Sequence, residues 1–137
     1  MNGLHPSYRH MALWTLQGWL AMFFVAAGYA KLSQPMEMLI ILLSWPVHFA
    51  PGAVRLLGAL EVLLAVAVLS PVISWTFGRP LLVSATMAML ALEAMMFIIH
   101  AMSFEWSHAL INLALGLMTA IVFIQRSRET APGRKTM

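Results

Sequence analysis

Residues 53–69 read AVRLLGALEVLLAVAVL, and residues 81–102 read LLVSATMAMLALEAMMFIIHAM. Each stretch is long and apolar enough to cross the roughly 30 Å hydrocarbon core of a bilayer as a helix. Each also carries one glutamate near its middle, Glu61 in the first and Glu93 in the second. An ionisable side chain at that depth costs roughly 2.5–3.5 kcal/mol on insertion scales, so it normally faces the bundle interior and has a partner. The two glutamates are therefore the first candidates for functional residues.

Composition places the whole chain in a membrane. Of its 137 residues, 61% are hydrophobic and 9% are charged, whereas soluble domains carry about 25% charged residues. The length allows about four spans of roughly 20 residues each. We expect these spans near residues 11–30, 53–69, 81–102 and 107–124. The sequence thus predicts an all-α fold, in which residues 1–137 form a single transmembrane domain, an integral membrane four-helix bundle.

The segment between the first two spans is too short to cross a bilayer. It is almost wholly apolar from Met38 to Trp45 and is followed by Pro46 and Pro51. Prolines end helices, because they lack the amide donor that a helix interior needs. This pattern favours a short interfacial or re-entrant helix, with Trp45 as its anchor at the level of the lipid head groups.

Basic residues predict the orientation, because cytoplasmic loops carry an excess of lysine and arginine. In a four-span chain both termini lie on one side, and that side holds Arg9, Arg79, Arg126, Arg128, Arg134 and Lys135. Only Lys31 and Arg55 remain for the other side. We therefore expect a multi-pass protein of the inner (plasma) membrane with both termini cytoplasmic and residues 125–137 as a basic cytoplasmic tail. The basic residues form no nucleic-acid-binding run, and the absence of cysteine excludes disulfides and thiolate metal sites.

Polar residues recur on single helix faces, since residues seven or four apart lie on the same side of a helix. Glu93 and His100 share a face of the third span, and His108 and Asn112 share a face of the fourth. This spacing predicts a polar pocket that opens to the non-cytoplasmic side, in which Glu93, His100 and His108 transfer protons. The side chains expected to bind a ligand there are Asn112, Phe97 and Phe24.

Two short stretches resemble a known family. Residues 27–32, AGYAKL, end the first span, and residues 55–62, RLLGALEV, lie in the second. In these motifs, and in the number and order of its spans, the chain resembles the DoxX-like family of small four-helix membrane proteins. The resemblance implies a redox-associated inner-membrane protein, since one related protein is a membrane subunit of a thiosulfate:quinone oxidoreductase. The positions that match the family pattern are Lys31, Arg55 and Glu61.

A structural explanation of the same residues stands beside the functional one. Lys31, Arg55 and Glu61 can form structural ion pairs that fix the helix register, since buried pairs often confer specificity rather than catalysis. A histidine near a helix end is commonly a solvated residue. His48, His100, His108 and Glu105 offer imidazole and carboxylate groups that suit a metal ion, but no His-x-x-x-His spacing is present, and we expect no metal site.

Three classes of function remain open at this point. The first is a quinone-associated accessory subunit of a redox complex, at most the membrane subunit of a quinone-linked oxidoreductase. The second is a non-catalytic structural subunit of a larger membrane complex, and the third is a small proton-coupled transporter. The chain has no dinucleotide-binding glycine motif and no haem-attachment motif. Any electron carrier is therefore a membrane quinone that is not covalently bound, or it belongs to a partner protein. The expected partners are the lipid bilayer and a membrane protein or a second copy of the chain.

Overall fold

The chain folds into a bundle of α-helices in the computed structural model, which describes residues 5–129. The helices are α1 (Pro6–Ser33), α2 (Met36–Leu43), α3 (Pro51–Leu69), α4 (Trp75–Met102) and α5 (Trp106–Arg128), with 3₁₀ turns at Trp45–His48 and Ser70–Val72. All of these helices except α2 are long and apolar enough to cross a membrane. The predicted all-α membrane bundle is thus confirmed.

Helix bounds differ from the predicted spans mainly at prolines. The third span was predicted to start after Pro80, but α4 begins at Trp75 and contains that proline. Pro80 lies in the second turn, where it removes only the backbone hydrogen bond to the carbonyl of Thr76 and so does not stop the helix. The first helix begins at Pro6, a residue type favoured in the first turn. Most of the predicted basic tail, residues 130–137, lies outside the described residues, as do residues 1–4.

Neighbouring helices pack in sequence order and close the bundle. Helix α1 lies along α3, α3 packs against α4, α4 lies along α5, and α5 contacts α1. The first and last helices also meet through side chains near the two ends of the chain, because Arg126 of α5 hydrogen-bonds to Gln17 of α1. The start of α1 and the end of α5 therefore lie at one end of the bundle, here called the terminal end. Helix α2, the end of α4 and the start of α5 lie at the opposite end, here called the distal end.

The predicted head-group anchor is a core residue. Trp45 is only 5% exposed and packs in a cluster with Leu39, Val54 and Met96. Ser44 ends α2 with a left-handed backbone, φ 61°, and the 3₁₀ turn that follows returns the chain to α3. The prediction for Trp45 was wrong because an aromatic residue at a span end can be either an interface anchor or a core side chain, and only the path of the turn separates the two.

Two glycines bring α1 and α3 into backbone contact. A Cβ atom on Gly28 would lie 2.5 Å from the carbonyl oxygen of Gly58, and a Cβ atom on Gly58 would lie 2.8 Å from the carbonyl oxygen of Gly28. Small residues at such crossings let membrane helices approach closely. The Gly28–Gly58 crossing therefore fixes how α1 sits on α3.

Replacing a glycine at this crossing should destabilise the bundle. A methyl group at position 28 meets backbone that cannot rotate away, so Gly28→Ala should cost about 1–3 kcal/mol of unfolding free energy. Gly18 lies in the same helix with nothing within 4 Å of its virtual Cβ, so Gly18→Ala should instead stabilise by up to about 1 kcal/mol through helix propensity. Thermal unfolding in mild detergent measures both. Shifts of the same sign would contradict the crossing.

Candidate functional site

Lys31 and Glu61 form a buried ion pair beside the glycine crossing. The Lys31 Nζ atom lies 2.9 Å from Oε1 and 2.8 Å from Oε2 of Glu61. The two residues are 5% and 8% exposed. Lys31 is in the last turn of α1 and Glu61 is near the middle of α3, so their contact depends on the close approach of the two helices. Because each charge offsets the desolvation of the other, this pair is the structural part of the predicted site.

Arg55 does not contact either glutamate. Its guanidinium donates to the carbonyl of Lys31, and its Nη2 donates to the carbonyl of Gln34 at 2.7 Å. These carbonyls belong to the end of α1, where backbone acceptors lack intrahelical partners and a positive charge is favourable. The expectation that Arg55 joins an ion pair is therefore corrected: Arg55 caps α1. It lies six residues before Glu61, about 9 Å along the helix, which leaves it level with the helix end.

Glu93 is the buried carboxyl with the fewest partners. It is 3% exposed. Its Oε1 accepts a hydrogen bond from the Thr119 hydroxyl at 2.8 Å, and that single proton is shared with the carbonyl of Leu115 at 2.9 Å. Within residues 5–129 its Oε2 has no hydrogen-bond partner. No basic side chain of the described chain forms a salt bridge with it. Glu93 is thus buried, acidic and uncompensated, whereas Glu61 is paired.

A small inner cavity lies on one side of Glu93. It measures about 40 Å³, and its wall includes both Glu61 and Glu93. One water needs about 10–15 Å³ of such volume, so the cavity has room for roughly three. Its other lining residues are Phe23, Phe24, Ala27, Leu57, Leu92, Met96, Asn112 and Leu115. Phe24, predicted to bind a ligand, therefore belongs to the wall of this inner cavity.

A wider groove lies on the other side of Glu93, between α4 and α5. Its volume is about 270 Å³, and it faces outward from the bundle. Phe97 and Asn112, the other two predicted ligand-binding residues, both line it. The remaining lining residues are Leu90, Glu93, Ala94, Ile98, Leu113, Gly116 and Leu117. Glu93 and Asn112 thus contact both spaces, so they form the partition between the groove and the inner cavity.

Two histidines and a glutamate meet at the distal end. The rings of His100 and His108 are stacked with centroids 5.0 Å apart. His100 is 4% exposed, and its Nδ1 lies 2.6 Å from Oε2 of Glu105 in the turn between α4 and α5. This hydrogen bond, with a smaller contribution from the Ser44 side chain, lowers the pKa of Glu105. Glu93 lies seven residues from His100, about 10 Å deeper along α4, so the structure groups the two imidazoles with Glu105 rather than with Glu93.

Arg126 anchors a polar cluster that the sequence analysis missed. The side chain is fully buried at 0% exposure. Its Nε donates to Oε1 of Gln17 at 2.8 Å, and its Nη1 donates to the Glu129 carboxylate at 2.9 and 3.1 Å. The guanidinium lies 5.3 Å from ring centroids of both Trp14 and Trp75, which gives cation–π contact on each. This cluster joins α1, α4 and α5 at the terminal end.

The signal for Arg126 was present in the helical spacing. Asn112, Thr119 and Arg126 are seven residues apart, so all three lie on one face of α5. That face is the one turned toward the bundle, because Thr119 and Arg126 are buried. The sequence analysis grouped Arg126 with the cytoplasmic charges from its position in the chain. It did not consider which face of α5 carries the side chain.

Comparison with known proteins identifies a family. The model of the DoxX-like family matches residues 15–122 of the chain, well over half of its length. The matched region contains Lys31, Glu61, Glu93 and the distal histidines, while Arg126 lies beyond it. No curated protein and no solved structure matches the chain.

Breaking the buried ion pair should have a much larger effect than removing a surface charge. Glu61→Gln leaves the Lys31 ammonium buried without a counter-charge, which should cost about 3–5 kcal/mol of unfolding free energy. The control is Glu37→Gln, since Glu37 is exposed in the first turn of α2 and should change stability by less than about 1 kcal/mol. Glu129 is not a suitable control, because it bonds to Arg126.

The double variant Lys31→Met, Glu61→Met tests the same pair from the other direction. It removes both charges and should recover most of the stability that is lost when only one member of the pair is replaced. Chemical unfolding in detergent with a tryptophan fluorescence readout measures the unfolding free energy of the natural protein, Glu61→Gln, Glu37→Gln and the double variant. Equal losses for Glu61→Gln and Glu37→Gln would show that Glu61 is not paired in the folded protein.

Proposed function

The chain belongs to the DoxX-like family of membrane proteins, and we propose that it is a quinone-associated accessory subunit of a redox complex in the inner membrane. The observation that supports this proposal most directly is Glu93. It is a buried carboxyl, one oxygen of which lacks a partner among residues 5–129, and it lines a groove on the outer surface of the bundle. A groove between two membrane-spanning helices is accessible to a lipid-soluble ligand from the side.

The groove between α4 and α5 suits a quinone ring. Most small-molecule sites are mainly apolar with a few polar groups that orient the ligand. Here leucine, isoleucine and alanine side chains make most of the surface, while Glu93 and Asn112 supply the polar groups. Phe97 adds an aromatic ring, and aromatic pairs contribute about 0.5–1.5 kcal/mol beyond their buried area. An apolar wall with a carboxyl at one point matches an apolar ring that carries carbonyl oxygens.

Glu93 can serve the ligand in both of its redox states. A membrane quinone supplies two-electron, two-proton chemistry. In its protonated form the Glu93 carboxyl can donate a hydrogen bond to a ring carbonyl, and in its ionised form it can accept one from a ring hydroxyl. Asn112 already donates from Nδ2 to the carbonyl of His108 at 2.9 Å, so its carboxamide oxygen is left as an acceptor. The chain therefore binds and orients the quinone and exchanges protons with it, while the electron acceptor belongs to a partner protein.

The inner cavity can accept the protons that Glu93 releases. It has room for roughly three waters between Glu93 and the Lys31–Glu61 pair. The distal histidines lie about 10 Å further toward the bundle end. In this proposal protons leave Glu93 toward the distal end, which faces the non-cytoplasmic side because most basic residues of the described chain lie at the terminal end.

A second candidate, a structural subunit of a membrane complex, is favoured by the other buried charges. Lys31, Glu61 and Arg126 all find partners inside the chain. Paired buried charges of this kind fix helix register without any chemistry. Glu93 does not follow this pattern, so experiments at the groove distinguish the two candidates.

Filling the groove should block quinone binding. Ala94 lines the groove and is exposed on α4, whereas Ala91 is exposed on the same helix one turn earlier and does not line the groove. Ala94→Leu should weaken binding of a decyl-substituted benzoquinone at least about tenfold, since a 1.4 kcal/mol loss of contact energy gives that factor. Ala91→Leu should leave it unchanged. Tryptophan quenching in nanodiscs measures the affinity, and equal affinities for the two variants would exclude the groove.

Glu93→Gln separates the redox subunit from the structural subunit. The substitution keeps the shape but removes the exchangeable proton, so quinone-linked turnover of the native complex should fall about 10²-fold or more, the usual contribution of acid–base catalysis. The complex should stay assembled, and Glu37→Gln should have no effect on either property. Unchanged turnover with Glu93→Gln would favour the structural subunit.

The orientation can be tested with paired reporters. Green fluorescent protein fluoresces in the cytoplasm, and alkaline phosphatase is active outside it. Because four of the six basic residues in the described part of the chain lie at the terminal end, a fluorescent protein fused after Met137 should be bright. Phosphatase fused after Gln34, at the distal end, should be active. The reverse pattern would place the distal end in the cytoplasm and the proposed proton exit on the wrong side.

A further inference from the structure

We propose that His100, Glu105 and His108 form a binding site for a divalent transition-metal ion of the Zn²⁺ type at the distal end of the bundle. One potential ligand atom from each residue lies within 4.8 Å of the other two. The three residues come from the end of α4, the connecting turn and the first turn of α5. The sequence analysis predicted no metal site, yet the three residues lie within nine consecutive positions, and Glu105 and His108 have a Glu-x-x-His spacing.

The donor set matches the chemistry of zinc. Imidazole nitrogen and carboxylate oxygen are both common zinc ligands, and two histidines with one glutamate leave the fourth position of a tetrahedral site open to water or another ligand. Bond lengths of about 2.0–2.1 Å place neighbouring ligand atoms about 3.4 Å apart in such a site. The widest separation in the cluster, at most 4.8 Å, must therefore shorten by up to about 1.4 Å, and the contact between His100 and Glu105 must lengthen. His108 is only partly buried, so its ring has space to move.

The turn between α4 and α5 is folded to bring Glu105 back to His100. The Glu105 N–H donates to the carbonyl of His100 at 2.9 Å, and the Phe104 N–H donates to that of Ala101 at 3.2 Å. These two bonds are those of a Schellman cap, whose left-handed residue is commonly glycine. Phe104 occupies that position with φ 58°, although a bulky residue is strained there. The backbone thus holds a carboxylate against a buried imidazole at a conformational cost.

A second strained turn lies next to the cluster. Ser44, at the end of α2, is the other non-glycine residue of the described chain with a positive φ. Its side chain also approaches Glu105. Both left-handed turns therefore converge on one carboxylate. Binding of the ion does not depend on quinone binding, since the cluster is separate from the α4–α5 groove.

The test is a titration of the full chain with Zn²⁺ in mild detergent after the protein has been stripped with a chelator. Calorimetry should give one ion per chain for the natural sequence. His108→Ala and Glu105→Gln should each weaken the affinity at least about tenfold, since losing even a hydrogen-bond partner of a ligand costs about 10–100-fold. His48→Ala is the matched control, because His48 is an exposed histidine at the same end of the bundle and should not change the affinity.

Two further measurements make the result decisive. Co²⁺ in place of Zn²⁺ should give the visible absorption of a four-coordinate ion, and this absorption should be lost in His108→Ala. Zn²⁺ should raise the melting temperature of the natural protein but not that of Glu105→Gln, which also shows that the variant folds. Unchanged affinity in both ligand variants, or an equal loss with His48→Ala, would overturn the site. Binding of a decyl-substituted benzoquinone should be the same in all of these variants, so the outcome is independent of the proposed quinone function.

Discussion

The contact between Gly28 and Gly58 determines much of this bundle, because it decides whether two buried charges can meet. The Lys31 Cβ atom would lie 2.7 Å from a Cβ atom on Gly58, so the lysine side chain leaves α1 directly over the bare backbone of α3. From there Nζ reaches both oxygens of Glu61. A membrane interior offers no water to solvate an unpaired charge, and so the close crossing and the ion pair require each other.

The two glutamates that first distinguish the sequence have different surroundings. Glu61 is neutralised by Lys31, and its place is explained by helix packing alone. Glu93 has a shared hydroxyl proton on one oxygen and, within the described chain, nothing on the other. An uncompensated polar group in an apolar site is costly, so packing does not explain it. The proposed function rests on this contrast, since it requires a carboxyl between the outward groove and the small inner cavity whose wall also includes Glu61.

Hydropathy and helical periodicity predict the parts of this structure that repeat along one helix. They identify the four long helices, the inward face that carries Glu93 and the depth of Glu61. They do not predict contacts between distant residues, such as Arg126 with Gln17, which are 109 positions apart. Nor do they separate two uses of one residue type. Arg55 caps a helix, although its position also suits an ion pair, and Trp45 fills the core, although its position also suits the membrane interface. In both cases the outcome depends on the path of a turn.

The two ends of the bundle are stabilised in different ways, which bears on where function lies. At the terminal end the Arg126 guanidinium lies between two tryptophans, and Arg79 donates to the last carbonyls of α5. These contacts involve no backbone strain, although Nη2 of Arg126 and Nε1 of Trp75 have no hydrogen-bond partner within residues 5–129. At the distal end Ser44 and Phe104 adopt left-handed conformations that glycine would adopt at less cost. Strain of this kind persists only where the surrounding structure imposes it, and it is concentrated at functional sites. Since both strained turns meet at Glu105, beside the stacked histidines, the distal end is the part of the molecule where a ligand-binding role best accounts for the cost of the fold.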